Sequence, residues 1–260
     1  MILSGTFCPI RTSYREDYTM AKRLILMMLR NFFYLPYVFI QLLRYAKNDK
    51  ISEEKKYKLI RLIGNRGCKC GNVNVHGYWL ENLPKESGYI MFPNHQGLFD
   101  VMGWVHLNST PFSVVIKKEA YNVFMLRQII QTMGGLFMDR EDPREGLKVI
   151  NEVAEQVKAG RNYLIFPEGT RSKNGNKLGE FKGGSFKAAT KAKCPIVPMA
   201  IIDCYLPFDT NSIRKVDVQI HVLPAIPYEE YKGMKTAEIA DMVKSRIEKV
   251  IAENEHNFEN

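Results

Sequence analysis

From about residue 71 onward the chain alternates short apolar runs with longer amphipathic stretches. Residues 88–92, 112–116, 136–138, 163–166 and 196–202 are apolar runs of strand length,. Val216, Val218, Ile220 and Val222 alternate with Asp217, Gln219 and His221, the pattern of a half-exposed strand that leaves His221 at the surface,. Asp142-Pro143-Arg144-Glu145 predicts a helix start, with a capping carboxylate, a proline at the first helical position and an acid three residues after the cap,. Leu147, Ile150, Val153, Ala154 and Val157 mark the buried face of that helix, and Gly160 ends it,. Ile239, Met242, Val243, Ile247, Val250 and Ile251 form the apolar stripe of a last helix before a polar tail at 254–260,. Strands alternating with helices predict an α/β fold, one sheet flanked by helices, over 71–253.

Two segments precede that domain. Residues 51–70 are rich in charge and are expected to connect it to what lies before. Residues 24–43 are apolar over nearly the length needed to cross a hydrocarbon core, about 20 residues,. Arg30, Asn31 and Pro36 interrupt this stretch. A central arginine costs roughly 2.5–3.5 kcal/mol on insertion, and a proline kinks a helix. Two short helices lying in or dipping into one leaflet are therefore expected within a membrane-docking region at 20–50. Residues 1–19 form a polar N-terminus without an apolar stretch and cleavage site, which argues against secretion,.

A chain of 260 residues is long enough for one main core,. Its hydrophobic and charged fractions, 45% and 25%, exclude a disordered chain and a polytopic membrane protein,. The net charge of +9 asks for an anionic partner,. Residues 1–50 hold eight Lys/Arg against three Asp/Glu around the apolar stretch, so an anionic membrane surface suits better than nucleic acid, for which no motif is present,. Five scattered cysteines do not suggest a disulfide framework and are expected to be reduced, on the cytosolic side of a membrane,. Cys68-Lys69-Cys70 is too tightly spaced for a usual metal pair and no second pair follows,.

In an α/β sheet, reactive groups gather beyond the strand ends. After the run at 88–92 come Asn94 and His95, then Asp100. A histidine there is a candidate general base, because its unperturbed pKa of about 6.5 lets it exchange protons near neutrality. Asp100 could hold the other ring nitrogen and stabilise the imidazolium, the alternative being a capping asparagine beside a surface histidine. After 136–138 comes Asp139-Arg140, and after 163–166 comes Pro167-Glu168-Gly169-Thr170-Arg171-Ser172. Arginine's fork of donors suits a phosphate, and two such loops could clamp one; either arginine could instead pair with Asp139 or Glu168. Thr170 adds a hydroxyl and Gly169 a backbone that a ligand can approach. No Gly-x-Ser-x-Gly elbow occurs, and residues 179–185 lack a phosphate loop's lysine before the serine,. His76, His106 and His256 have no acidic partner at comparable spacing and are taken as structural or solvated.

Asn94-His95 through Asp100, Gly135-Leu136-Phe137-Met138-Asp139-Arg140, Phe166-Pro167-Glu168-Gly169-Thr170-Arg171-Ser172 and Val197-Pro198-Met199 resemble, in order and spacing, the four motifs of the glycerolipid acyltransferase family that includes 1-acyl-glycerol-3-phosphate acyltransferases. The likeness covers about 71–224, and residues 24–43 resemble that family's membrane-binding helices. It implies a single mixed sheet of the glycerol-3-phosphate acyltransferase type. It also implies transfer of a fatty acyl group from acyl-CoA or acyl carrier protein to the sn-2 hydroxyl of a lysophosphatidate, with no cofactor and no metal. His95 would be the base and Asp100 its orienter, with backbone N–H groups stabilising the oxyanion. Arg140, Arg171 and Lys117 would hold the substrate phosphate, and Glu168 and Gly169 would shape the acceptor site. Lys182-Gly183-Gly184 resembles the family's basic-glycine segment. The motifs specify acyl transfer better than head group, so another lysophospholipid or lipid hydroxyl is an alternative acceptor. A non-catalytic lipid-binding protein of the same fold is a further alternative, against which the intact His95 and Asp100 stand.

Overall fold

The computed structural model describes residues 21–123 and 125–258. The polar N-terminus expected at 1–19, with Cys8, lies outside the described residues. The chain runs α1 (Ala21–Arg30), α2 (Leu35–Tyr45), α3 (Glu53–Cys70), β1 (Val73–Tyr78), β2 (Ile90–Pro93), α4 (Phe99–Leu107), β3 (Ser113–Lys117), α5 (Leu126–Thr132) and β4 (Leu136–Met138). It continues through α6 (Pro143–Lys158), β5 (Tyr163–Leu164), α7 (Lys187–Ala192), β6 (Ile196–Ile202), α8 (Leu206–Asp209), β7 (Val216–Val222), α9 (Tyr228–Tyr231) and α10 (Thr236–Asn254). The seven strands form one mixed sheet in the order β1-β7-β6-β2-β5-β3-β4. Among the described strand pairs, β6–β7 alone is antiparallel.

Both faces of the sheet are covered, which is why its central strands read as unbroken apolar runs. Met91, Val197 and Ile201 pack with Tyr57 and Ile60 of α3 and Trp104 of α4. Ile90, Phe92, Ala200 and Ile202 face Val153 of α6, Ala188 of α7 and Val243 and Ile247 of α10. Each fully buried aliphatic side chain of this kind contributes about 1.5–3 kcal/mol. The start of α6 is the expected one: Asp142 accepts from Arg144 N at 2.8 Å and Glu145 N at 3.3 Å, and Gly160 follows the helix at φ +93°. Leu147 departs from the expected buried face and is 48% exposed.

Two further expectations are corrected. The stretch at 51–70, read as a connector, contains the 18-residue helix α3, capped by Ser52 and burying Tyr57, Leu59, Ile60, Gly64 and Cys68 against the sheet and α4. Strand β7 is not half-exposed: Gln219 and His221 are buried on its polar side. Gln219 donates to the carbonyl of Asn254 at the end of α10, and His221 is stacked on Tyr78 with Trp79 at its edge. Burial pushes the His221 imidazole down to about 4, so it folds neutral. A histidine depressed this way supports the fold fully above its unfolded value near 6.5 and loses that support as pH falls toward 4. His221→Phe is expected to remove roughly 3 kcal/mol of the stability difference between pH 7 and pH 4. Urea unfolding at both pH values reads this, and an unchanged difference would refute it.

At the N-terminal end, α1 and α2 meet at a bend of 91°. No single described helix is long and apolar enough to cross a membrane. The break falls at 31–34, and Pro36 stands in the first turn of α2, where its missing N–H costs nothing,. Buried Arg23 donates to the carbonyls of Gly71 and Arg214, and Arg30 to those of Cys70 and the side chain of Asn72, so α1 is pinned to the end of α3. Asn31 receives Arg66 Nε at 2.8 Å. Away from these anchors the pair presents Leu29, Phe32, Phe33, Tyr37, Ile40 and Leu43 to solvent, Phe33 being 95% exposed.

Candidate active site

Strand β2 lies at the centre of the sheet, between β6 and β5, and delivers Asn94 and His95 to the carboxyl edge. The Asn94 side chain brackets Ile201, donating to its carbonyl at 2.9 Å and accepting from its N–H at 2.7 Å, which fastens the turn to β6. Asn94 is therefore a buried brace for the turn that follows it.

That turn feeds directly into α4 and carries Asp100 in the first helical turn. Asp100 is wholly buried. Its Oδ2 accepts from Gln96 N at 2.8 Å and Gly97 N at 3.0 Å, and Oδ1 also receives Gly97 N at 3.1 Å. Both carboxylate oxygens thus accept from backbone amides at the start of α4. His95 Nδ1 sits 2.8 Å from Oδ2. An acceptor of this kind requires the Nδ1 proton, which leaves the lone pair on Nε2. The ring is stacked on Phe166, centroids 4.0 Å apart, and its side chain is 17% exposed. Because the amides of Gln96 and Gly97 are spent on Asp100, neither is free to stabilise an oxyanion.

Glu168 works from behind. Its carboxylate accepts from His95 N and from Gly179 N, each at 2.8 Å, and burial pushes its carboxyl up. It therefore ties two loops together beneath the histidine. Ser172 N donates to the His95 carbonyl at 3.0 Å, closing the same joint from the far side.

A cavity of about 360 Å³ opens beside His95. Its walls are Ile60, Ile63 and Gly64 of α3, Val101, Met102 and Val105 of α4, Leu126, Ile129 and Ile130 of α5, and Val114 and Ile116 of β3. Gly64 lets α3 approach α4, since a Cβ there would stand 2.7 Å from Val105 Cγ1. The polar side chains in the wall are His95, Lys117, Arg140, Thr170 and Arg171. Neither arginine pairs with the acid beside it in sequence. Arg140 donates to the Gly169 carbonyl, Asp139 pairs with Lys118, and Arg171 lies 3.8 Å from Asp209 of α8. Lys117 meets Glu119 at 3.0 Å, with both side chains more than half exposed, a pair worth little in water.

Gly169, at φ +70°, and Lys182 line a second cavity beside the first. Pro198 lines neither cavity: it is buried within β6 opposite Phe92. His76 does have an acidic partner, Asp217 at 2.8 Å on the neighbouring strand, which sequence spacing hid; the pair lines neither cavity. His106 bonds Asn65, and His256 is exposed.

Residues not expected to take part also frame the site. Phe166 closes one face of the His95 ring, and Gln96 ties the turn to Cys204 N at 2.7 Å and to Asn176 at 2.8 Å. Phe166 stands at the end of an apolar run, where core and site residues look alike.

Residues 72–202, which contain His95, Asp100, Lys117, Arg140, Glu168 and Arg171, match the family model described as Acyltransferase. The chain belongs to the Acyltransferase family. Relatives of this acyltransferase include the 1-acyl-sn-glycerol-3-phosphate acyltransferase of Borreliella burgdorferi, 28% identical over 65% of this chain and 68% of that one. The enzyme of the same name from Escherichia coli is 31% identical over 63% of this chain and 67% of that one. The human 1-acyl-sn-glycerol-3-phosphate acyltransferase alpha is 29% identical over 70% of this chain and 64% of that one. The chain thus spans about two thirds of the length of these relatives. The acyltransferase fold matches the crystal structure of the 1-acyl-sn-glycerophosphate (LPA) acyltransferase PlsC from Thermotoga maritima with a TM-score of 0.74. At 20% identity, that match covers 95% of this chain and 98% of that one.

Proposed function

We propose that this acyltransferase moves a fatty acyl group from a coenzyme A or acyl carrier protein thioester to the sn-2 hydroxyl of 1-acyl-glycerol-3-phosphate, giving phosphatidic acid. One observation carries the reading: a His95–Asp100 pair joined at 2.8 Å beside an apolar cavity of about 360 Å³ whose wall also holds Lys117, Arg140 and Arg171. His95 Nε2 removes the acceptor's hydroxyl proton as its oxygen attacks the thioester carbonyl carbon. Asp100 stabilises the imidazolium that forms. The tetrahedral intermediate collapses, the carbon–sulfur bond breaks, and the imidazolium returns its proton to the departing thiolate, a good leaving group with a thiol pKa near 8.5. The apolar cavity takes an alkyl chain. Lys117, Arg140 and Arg171 hold the acceptor's phosphate, which lies one carbon from the reacting one and so must bind close to His95. The names of the relatives support this acceptor.

The test is transfer from labelled acyl-CoA and acyl carrier protein to lysophosphatidate, other lysophospholipids and the uncharged monoacylglycerol. Wild type is expected to favour lysophosphatidate, and Arg171→Ala to raise its KM roughly tenfold or more while leaving monoacylglycerol unaffected. Equal transfer to monoacylglycerol by wild type would show that no phosphate is read.

The enzyme meets its lipid at the cytosolic face of an anionic membrane, docked by α1 and α2. The row from Leu29 to Leu43 supplies apolar contact, while Arg23, Arg30 and Asn31 hold the helices to the domain. Leu29→Glu, Phe32→Glu and Phe33→Glu together are expected to cut binding to anionic vesicles by roughly 100-fold, with little change in Tm because these side chains are exposed. Unaltered sedimentation with vesicles would defeat the docking proposal.

A further inference from the structure

A second cavity, of about 280 Å³, adjoins the first, and Val115, Arg140 and Phe166 line both. His95 does not line it. Lys182 and Lys187 do, and neither pairs with a carboxylate among the described residues. The two acids in its wall are already engaged, Asp142 in capping α6 and Asp139 with Glu141 N and Lys118. The α6 amides are thus taken by Asp142, and the lysines carry the positive field. Lys182 reaches over the bare Cα of Gly169: a Cβ there would lie 3.3 Å from its Nζ.

An anion is expected in this cavity, joined to an uncharged chain that reaches the reacting centre past Phe166. The acceptor does not meet that description, because its phosphate and reacting hydroxyl sit on adjacent carbons. A thioester donor does, because its phosphate is separated from the sulfur by a long amide chain. We propose that the second cavity binds the phosphopantetheine arm shared by coenzyme A and acyl carrier protein, with Lys182 and Lys187 gripping its phosphate and Arg140 standing at the neck between the two substrates. The identification of the arm rests on the acyl-transfer reading.

Two measurements on the full chain test it. Calorimetry compares 4′-phosphopantetheine with pantetheine, on wild type and on the double variant Lys182→Gln, Lys187→Gln. Both lysines are exposed, so the variant is expected to fold. Wild type should bind the phosphorylated compound roughly tenfold tighter or more, and the double variant should bind the two alike. In turnover, the variant should raise KM for both acyl-CoA and acyl carrier protein by a similar factor, leave KM for an acyl-pantetheine thioester unchanged, and leave KM for lysophosphatidate unchanged. A rise confined to acyl-CoA would assign the lysines to its nucleotide phosphates and overturn the proposal, as would a rise in acceptor KM. Phosphate-dependent binding without any transfer would sink the acyl-transfer reading and leave the cavity's ligand standing.

Discussion

His95→Ala is expected to lower kcat for acyl transfer by roughly 10³-fold while shifting Tm by no more than a degree or two. The two halves of this expectation come from different atoms of one residue. In the proposed mechanism turnover depends on the imidazole, whose Nδ1 is held by Asp100 and whose Nε2 keeps the lone pair. The joint between loops depends on the backbone, whose N–H donates to Glu168 and whose carbonyl receives Ser172. Alanine keeps the second set and deletes the first. It also removes a ring stacked on Phe166, but that ring is partly exposed and its loss leaves no sealed cavity. Steady-state kinetics with a labelled thioester, beside thermal melts of both proteins, separates the two. Equal rates for variant and wild type would rule out His95 as the base.

The division between side chain and backbone also explains what the sequence could disclose. Strands β4, β6 and β7 fall on the residues that pattern predicts, because a strand covered on one or both faces must be apolar at fixed spacing,. The cap at Asp142 is equally local. Helix α3 was hidden because its exposed side carries most of its charge and its buried side uses Tyr57, Gly64 and Cys68 in addition to aliphatics. His221 was misplaced because a polar residue on an alternating strand is solvated only if nothing covers that face, and Tyr78, Trp79 and the end of α10 do. Glu168 shows the same limit within the site. Its motif position marked it as notable, but its partners are backbone amides of His95 and Gly179, and amides carry no sequence signal.

Glu168 and Asp100 divide the work around His95, one fixing its main chain and the other its ring. The two acids differ in surroundings. Asp100 stands at the start of α4 with backbone donors on both oxygens, whereas burial raises the Glu168 carboxyl despite its two amide bonds. A fold that aims one imidazole from two directions loses little orientation when the substrate displaces water from the cavity, which is the condition for a base to act at hydrogen-bond distance.

Asp100→Asn should therefore be as damaging to turnover as losing the base, by roughly 10³–10⁴-fold in kcat, and unlike His95→Ala it should also cost stability. Oδ2 is the shared acceptor for Gln96 N, Gly97 N and His95 Nδ1, and Oδ1 receives Gly97 N as well. An asparagine must put its NH₂ group in one of these places. With nitrogen at the Oδ1 position, it opposes the Gly97 N–H. With nitrogen at the Oδ2 position, it opposes two backbone donors and forces Nδ1 to accept, which moves the ring proton to Nε2 and removes the base. In either orientation the buried negative charge that stabilises the imidazolium is gone. A buried donor left unsatisfied costs about 1–3 kcal/mol, so Tm is expected to fall by several degrees. Because the pair acts as a unit, the double variant with His95→Ala should turn over no more slowly than the slower single variant. A wild-type kcat in Asp100→Asn, or additive losses in the double variant, would mean that the 2.8 Å contact positions nothing that the reaction uses.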